Sequence, residues 1–134
     1  MIGAILDTDV FSIIIEERPR AEKFSSLVLG VETALASPSV AELTHGAHRA
    51  GWGAARREWL EAHIARHGLL MPTEDLLRLW GVLRAQAGWL GHPLGQQLHS
   101  NDLWIAACAV FYRVPLVTGN ERHFVGLPGL ELVG

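Results

Sequence analysis

The sequence predicts an α/β domain in three layers, an α/β/α sandwich whose central sheet is mostly parallel and has four to five strands. Three observations lead there. Short apolar runs alternate with longer segments of helical periodicity along the 134 residues, and strands separated by helices pair as parallel βαβ units. Hydrophobic residues make up 49% of the chain, enough for one buried core. No repeat, linker or low-complexity tract divides the sequence, so residues 1–134 are expected to form one domain.

The elements follow in order. Ile2 to Leu6 is apolar enough for a buried strand. Thr8 to about Glu17 is read as helical, ending before Pro19, and Arg20 to Leu29 as a second helix stopped by Gly30. Thr33 to Ala36 is the next strand, and Pro38 begins a turn. Ser39 stands three residues before Glu42, the capping-box spacing, which predicts a helix through about Arg49 that Gly51 and Gly53 break. Ala54 to His67 repeats apolar positions at helical spacing and meets Gly68. Leu69 to Met71 suits a short strand. Thr73 is placed to cap a helix that has Glu74 and Asp75 in its first turn and runs to about Ala87, leaving Gly88 to Gly95 as loop. Ser100 or Asn101 opens a helix through Tyr112; Val114 to Thr118 and Leu130 to Val133 complete the sheet.

Composition limits the function classes. The apolar run from Val10 to Ile15 is too short to span a bilayer, and the amino terminus lacks the pattern of a secretory signal. Cys108 is the only cysteine, which excludes an internal disulfide and fits a reducing compartment. A cytoplasmic protein is expected. The net charge is −3, and Lys23 is the only lysine. A nucleic-acid role therefore has to use local arginines or a bound cation rather than a general positive field.

Ligands of open parallel sheets bind beyond the carboxyl ends of the strands. Asp7 directly follows the first strand, with Asp9 two residues on. Glu42 is read in the first helical turn after the second strand, Asp102 in the first turn of the helix before Val114 to Thr118, and Asn120 just after that strand. Carboxylates brought together raise one another's pKa, and a divalent cation resolves the conflict. Oxygen ligands suit Mg²⁺ or Mn²⁺ better than zinc, and such an ion polarises a phosphoryl oxygen and activates water. Each residue also has a structural explanation. Glu42 completes the capping box with Ser39, Asp102 favours a helix N-terminus, and Asp7 ends its strand in an Asx-turn. Asp9 is equally readable as accessory or simply exposed.

Four segments in order resemble the motifs of VapC-like PIN domains: Ile5-Leu6-Asp7-Thr8-Asp9-Val10-Phe11-Ser12, Ser39-Val40-Ala41-Glu42-Leu43 with Gly46-Ala47, Asn101-Asp102-Leu103-Trp104-Ile105-Ala106-Ala107, and Val114-Pro115-Leu116-Val117-Thr118 with Asn120, Phe124 and Pro128-Gly129-Leu130. The resemblance implies a PIN fold, a Mg²⁺-dependent ribonuclease (Mn²⁺ as the alternative ion), a homodimer, and inhibition by a cognate VapB-like antitoxin. It implies that Asp7 and Asp102 are metal ligands, that Glu42 positions metal or attacking water, and that Thr8 and Thr118 support the site. The substrate class it implies is structured cellular RNA such as tRNA or rRNA. Two positions depart from the family pattern. Asn120 stands where an acid is frequent, and His123 stands before Phe124 where aspartate is frequent, with Glu121 nearby.

Other readings of the same residues are a haloacid-dehalogenase-like phosphatase with Asp7 as nucleophile and a catalytically inactive PIN-like binding module. The pairs His45/His48 and His63/His67 share helical faces and are read as solvated rather than as zinc ligands. Trp52, Trp59, Trp80, Trp89 and Trp104 are read mostly as core or interface residues. Arg56 and Arg57 beside Trp59 are candidates for a phosphate-facing patch, with a solvated helix face as the alternative. The helices around Phe24 to Leu29 and Trp52 to Leu60 are candidates for an antitoxin groove.

Overall fold

A computed structural model describes residues 1–134. Strand β1 (Ala4–Leu6) leads into α1 (Thr8–Ile15) and α2 (Ala21–Leu27), then β2 (Thr33–Ala36), α3 (Ser37–Arg49) and α4 (Ala54–Ile64). After β3 (Gly68–Leu70) come α5 (Glu74–Leu90), 3₁₀ turns at Pro93–Gly95 and Gln97–His99, and α6 (Ser100–Tyr112). The chain closes with β4 (Leu116–Val117), α7 (Glu121–Phe124) and β5 (Leu132–Val133). The sheet has five strands in the order β3-β2-β1-β4-β5, and every neighbouring pair is parallel.

Alternation along the strands builds the layers, because successive side chains leave opposite faces of a sheet. Ile5, Ala34, Ala36 and Leu116 enter a core closed by Leu76 and Leu83 of α5 and Leu103 and Ala106 of α6. Ala4, Leu6, Leu35 and Val117 enter a second core closed by Phe11, Phe24, Ala47 and Leu60 of α1 to α4. The expectation of one buried core is thus corrected to two, since a sheet covered on both faces keeps its apolar residues in separate layers.

Three local expectations also change. Helix α3 starts at Ser37 directly from β2, with Ala36 as its cap residue, so Pro38 lies in the first helical turn rather than in a separate turn. Proline is at no disadvantage there, because the first N–H groups of a helix have no intrahelical partner. Ser39 then cannot cap. It is fully buried, and its hydroxyl accepts from the Thr8 hydroxyl at 2.8 Å. Helix α5, capped by Thr73 as expected, continues through Gly88 to Leu90 and ends at Gly91 with φ +67°. The following turn folds back on it: Gly95 lies so close to the Gly88 backbone that a Cβ there would meet Gly88 N at 2.7 Å. Arg84 Nε donates to the Gly95 carbonyl at 3.1 Å, fixing that approach. Helix α7, only four residues long, was not anticipated. No helix is long and apolar enough to cross a membrane.

Candidate active site

The strand order reverses direction at β1, which has β2 on one side and β4 on the other. The crevice at such a switch point lies outside the carboxyl ends of the strands, and Asp7 stands in it. Its backbone N–H donates to Val117 O of β4 at 2.9 Å. Its Oδ1 accepts from the Thr8 N–H at 2.9 Å, capping α1, and its Oδ2 accepts from the Thr118 hydroxyl at 2.9 Å. The structural and functional readings of Asp7 therefore coincide. Thr118 is fully buried, and its Oγ1 also accepts from the Asn120 N–H at 3.0 Å.

Asp7 is only 8% exposed. Burial pushes its carboxyl up from 3.8 to about 6; the Thr118 hydroxyl holds it down, while the charges of Asp102 and Asp9 raise it further. Glu42, freed of any capping role by the early start of α3, projects toward the same place. Burial and then the charges of Asp102, Asp7 and Asp9 push it from 4.5 to about 7. The charges that act on both carboxyls are those of the neighbouring acids. Glu42 Oε1 is buried without a hydrogen-bond partner. An unpaired buried carboxylate oxygen is costly. Four acids sharing a charge neighbourhood around such an oxygen fit a divalent cation held by oxygen ligands.

Asp102 lies in the first turn of α6, a third exposed, and its Oδ2 accepts from His123 Nε2 at 2.9 Å. His123 belongs to α7, which carries it back over the start of α6, and the His99 ring meets it edge-on at 4.4 Å. Asp9 and Asn120 line a cavity of ≈ 310 Å³ at the mouth beside Asp7, with Arg18 and Arg20 on its rim. Arg20, Lys23 and Arg122 line a neighbouring hollow of ≈ 360 Å³ with Asn120 and Glu121. The acidic centre thus carries a local basic border despite the net charge of −3.

A PIN domain family model matches residues 4–128. The chain belongs to the PIN-domain family. Among curated relatives it is 27% identical to Ribonuclease VapC1 of Haemophilus influenzae strain R2866 over 129 residues, covering 95% of this chain and 93% of that one. This PIN domain superimposes on VapBC-1 from nontypeable Haemophilus influenzae with a TM-score of 0.73 at 27% identity, covering 99% of this chain and 97% of that one. VapBC2 from Rickettsia felis, solved bound to a DNA fragment from their promoter, gives a TM-score of 0.82 at 24% identity, covering 99% and 98%. Family membership sets aside the haloacid-dehalogenase-like reading.

Within the PIN domain, Asp7, Glu42 and Asp102 come together as an interacting set, and Thr8 and Thr118 brace it. Arg56 and Arg57, candidates for a phosphate-facing patch or a solvated helix face, both contact Trp52. Arg56 lies over the Trp52 ring at 3.8 Å, and Arg57 donates to the Trp52 carbonyl at 2.8 Å, fastening the turn between α3 and α4. Trp80 and Trp104 stack at 4.9 Å against the first core, whereas Trp89 is exposed. His45 and His48 are exposed as expected. His67 is not a solvated residue: it is hydrogen-bonded to the Thr33 hydroxyl at 2.7 Å and packed edge-on against Phe11. Sequence reasoning missed His99 and His123 as neighbours of Asp102. The signals were the spacing of three between His99 and Asp102 and the place of His123 where the family frequently has aspartate.

Proposed function

We propose that this PIN domain is the Mg²⁺-dependent endoribonuclease toxin of a VapBC-type toxin–antitoxin module, working in the cytoplasm and restrained by a VapB-like antitoxin. The observation that carries the reading is the convergence of Asp7, Glu42 and Asp102 around a buried, unpartnered oxygen of Glu42. The relatives named above are the comparative support. All 134 residues act as one domain, and two copies pair as a homodimer.

Asp7 and Asp102 would hold the ion, Mg²⁺ or alternatively Mn²⁺, between the ends of β1 and α6. The ion supplies positive charge to a phosphoryl oxygen and lowers the pKa of attacking water. Thr118 and the Thr8 N–H each occupy one lone-pair direction of Asp7, which fixes the rotation of its carboxylate. Glu42 is the group placed to take the proton of the attacking water, because its carboxyl adjoins Asp7 and Asp102 and keeps one oxygen free of any other partner. Arg18, Arg20 and Lys23 on the border face flanking phosphates of the RNA. A tRNA or rRNA segment is the substrate class proposed. The antitoxin covers the approach to Asp7 and Asp102, with a charged segment entering the ≈ 660 Å³ hollow that Glu16, Glu17, Arg18, Arg56 and His63 line beside Ile15 and Trp59.

Cleavage of total cellular RNA with Mg²⁺, with EDTA, and with D7N and D102N proteins tests the activity. Discrete metal-dependent products that vanish in both variants support it. Folded, metal-binding protein that cleaves no more than the variants would overturn it and leave a binding module.

A further inference from the structure

We propose that His99, Asp102 and His123 form a binding site for a first-row transition-metal ion, in the range Mn²⁺ to Zn²⁺, on the outer side of the carboxylate cluster. One ligand atom from each residue lies within 4.8 Å of the other two. Ligands around such an ion, at bonds of about 2.0–2.2 Å, stand roughly 3 to 4.4 Å from one another. His123 Nε2 and Asp102 Oδ2, at 2.9 Å, already meet that condition. His99 is the residue that precedes α6 and Asp102 lies in its first turn, so both stand at the N-terminal end of that helix. A small rotation of His99 closes the set. All three residues are half-buried, so an ion reaches them from solvent while its ligands stay ordered.

The ligand chemistry decides the class of ion. Mg²⁺ demands oxygen ligands and keeps its waters. Imidazole favours the later divalent ions, and a carboxylate beside two imidazoles is acceptable to Mn²⁺, Fe²⁺, Co²⁺ and Zn²⁺ alike. Without metal, the Nε2–H of His123 donates to Asp102. On binding, the hydrogen bond gives way to two coordinate bonds, and the ring proton moves through solvent to Nδ1, leaving the imidazole neutral. Asp102 thereby links the two ligand sets. The assignment goes beyond the nuclease reading and does not depend on RNA cleavage.

Chelator-treated protein titrated with Co²⁺ in excess Mg²⁺, followed by visible absorption and calorimetry, tests the site. One Co²⁺ per chain is expected to bind despite the Mg²⁺. H99Q and H123Q are each expected to weaken it at least about tenfold, whereas H45Q, on an exposed face of α3, leaves it unchanged. On unsubstituted protein, proton NMR should show the ring signals of His99 and His123 shifted or broadened by the paramagnetic ion. The proposal is overturned if either histidine substitution leaves Co²⁺ affinity unchanged, if Mg²⁺ displaces the ion, or if the two ring signals do not move. In that event His123 is only a hydrogen-bond donor to Asp102. Co²⁺ binding without RNA cleavage would sink the nuclease reading alone; cleavage without histidine-dependent Co²⁺ binding would sink this one alone.

Discussion

The Thr118 hydroxyl donates to Asp7 Oδ2 at 2.9 Å across 111 positions of sequence, joining the carboxyl ends of β1 and β4 where the acids gather. It is a buried bond to a group that burial and neighbouring charges push toward the protonated form. T118V removes the donor at nearly constant volume. The variant is expected to lose about 1–3 kcal/mol of stability and to need more Mg²⁺ for cleavage, with T118S restoring both. Urea unfolding and metal titration of the cleavage rate check it.

Stability without metal should respond to pH through Asp7 and Glu42. Both carboxyls are raised in the fold, to about 6 and about 7, so the folded state binds more protons than the unfolded chain. Their stabilising contribution is complete below about pH 4 and is lost as pH rises through the two folded values. At about pH 8 each of the two charged carboxyls opposes folding by something on the order of 1–3 kcal/mol. D7N and E42Q are each expected to be more stable than the parent protein at that pH in EDTA, and no more stable at about pH 4. Melting at both pH values checks the sign. A parent protein that melts higher than D7N at the upper pH would contradict it.

Mg²⁺ should raise the melting temperature of the parent protein more at about pH 8 than at about pH 5, because protons compete for the same oxygens. D102N is expected to lose most of that increment. Thermal scans at several Mg²⁺ concentrations measure it directly.

His67 acts in the opposite sense. Burial, then the charges of His63 and Arg66, lower its pKa below 6.5, so the ring is neutral in the fold. Its contribution is present above about pH 6.5 and is lost as pH falls through the folded value. H67Q is expected to flatten the acid limb of the stability profile, leaving the effects of Asp7 and Glu42 in place. Denaturant midpoints of both proteins between about pH 5 and pH 8 show whether it does.

Ser39 offers a packing test. S39A is expected to cost about 1 kcal/mol through the Thr8 hydroxyl it leaves unpaired, with no loss specific to helix capping. A double-mutant cycle with T8V should return a coupling energy of similar size.

What the sequence made legible was local. Asp7 and Asp102 were found because each abuts the end of an apolar segment, and Thr73 because its cap contact is made three residues away with Leu76. The strands were found because apolar runs bounded by glycine and proline need no distant partner to be recognised. Ser39 misled because the capping-box spacing was present while burial against Thr8 decided its contacts. Gly88 suggested a loop, yet the turn at Gly95 packs on it and keeps it helical. The contact of His123 with Asp102 spans 21 residues and depends on a helix of four, too short to leave a periodic trace. Nor does any pattern reveal that one oxygen of Glu42 is left without a donor.

The register of β1 against β4, Ile5 beside Leu116 and Leu6 beside Val117, has a consequence for when the acidic centre can form. Asp7 is synthesised before the strand that positions it and the threonine that orients it, which stands 111 positions further on. A nascent chain with an exposed Asp7 therefore has no assembled centre until β4 has emerged and slotted in beside β1. A slip of one residue in that pairing would turn Ile5 into the wrong layer and carry Asp7 away from its partners. The acidic centre is thus a property of the completed pairing, and a chain folded out of register lacks it.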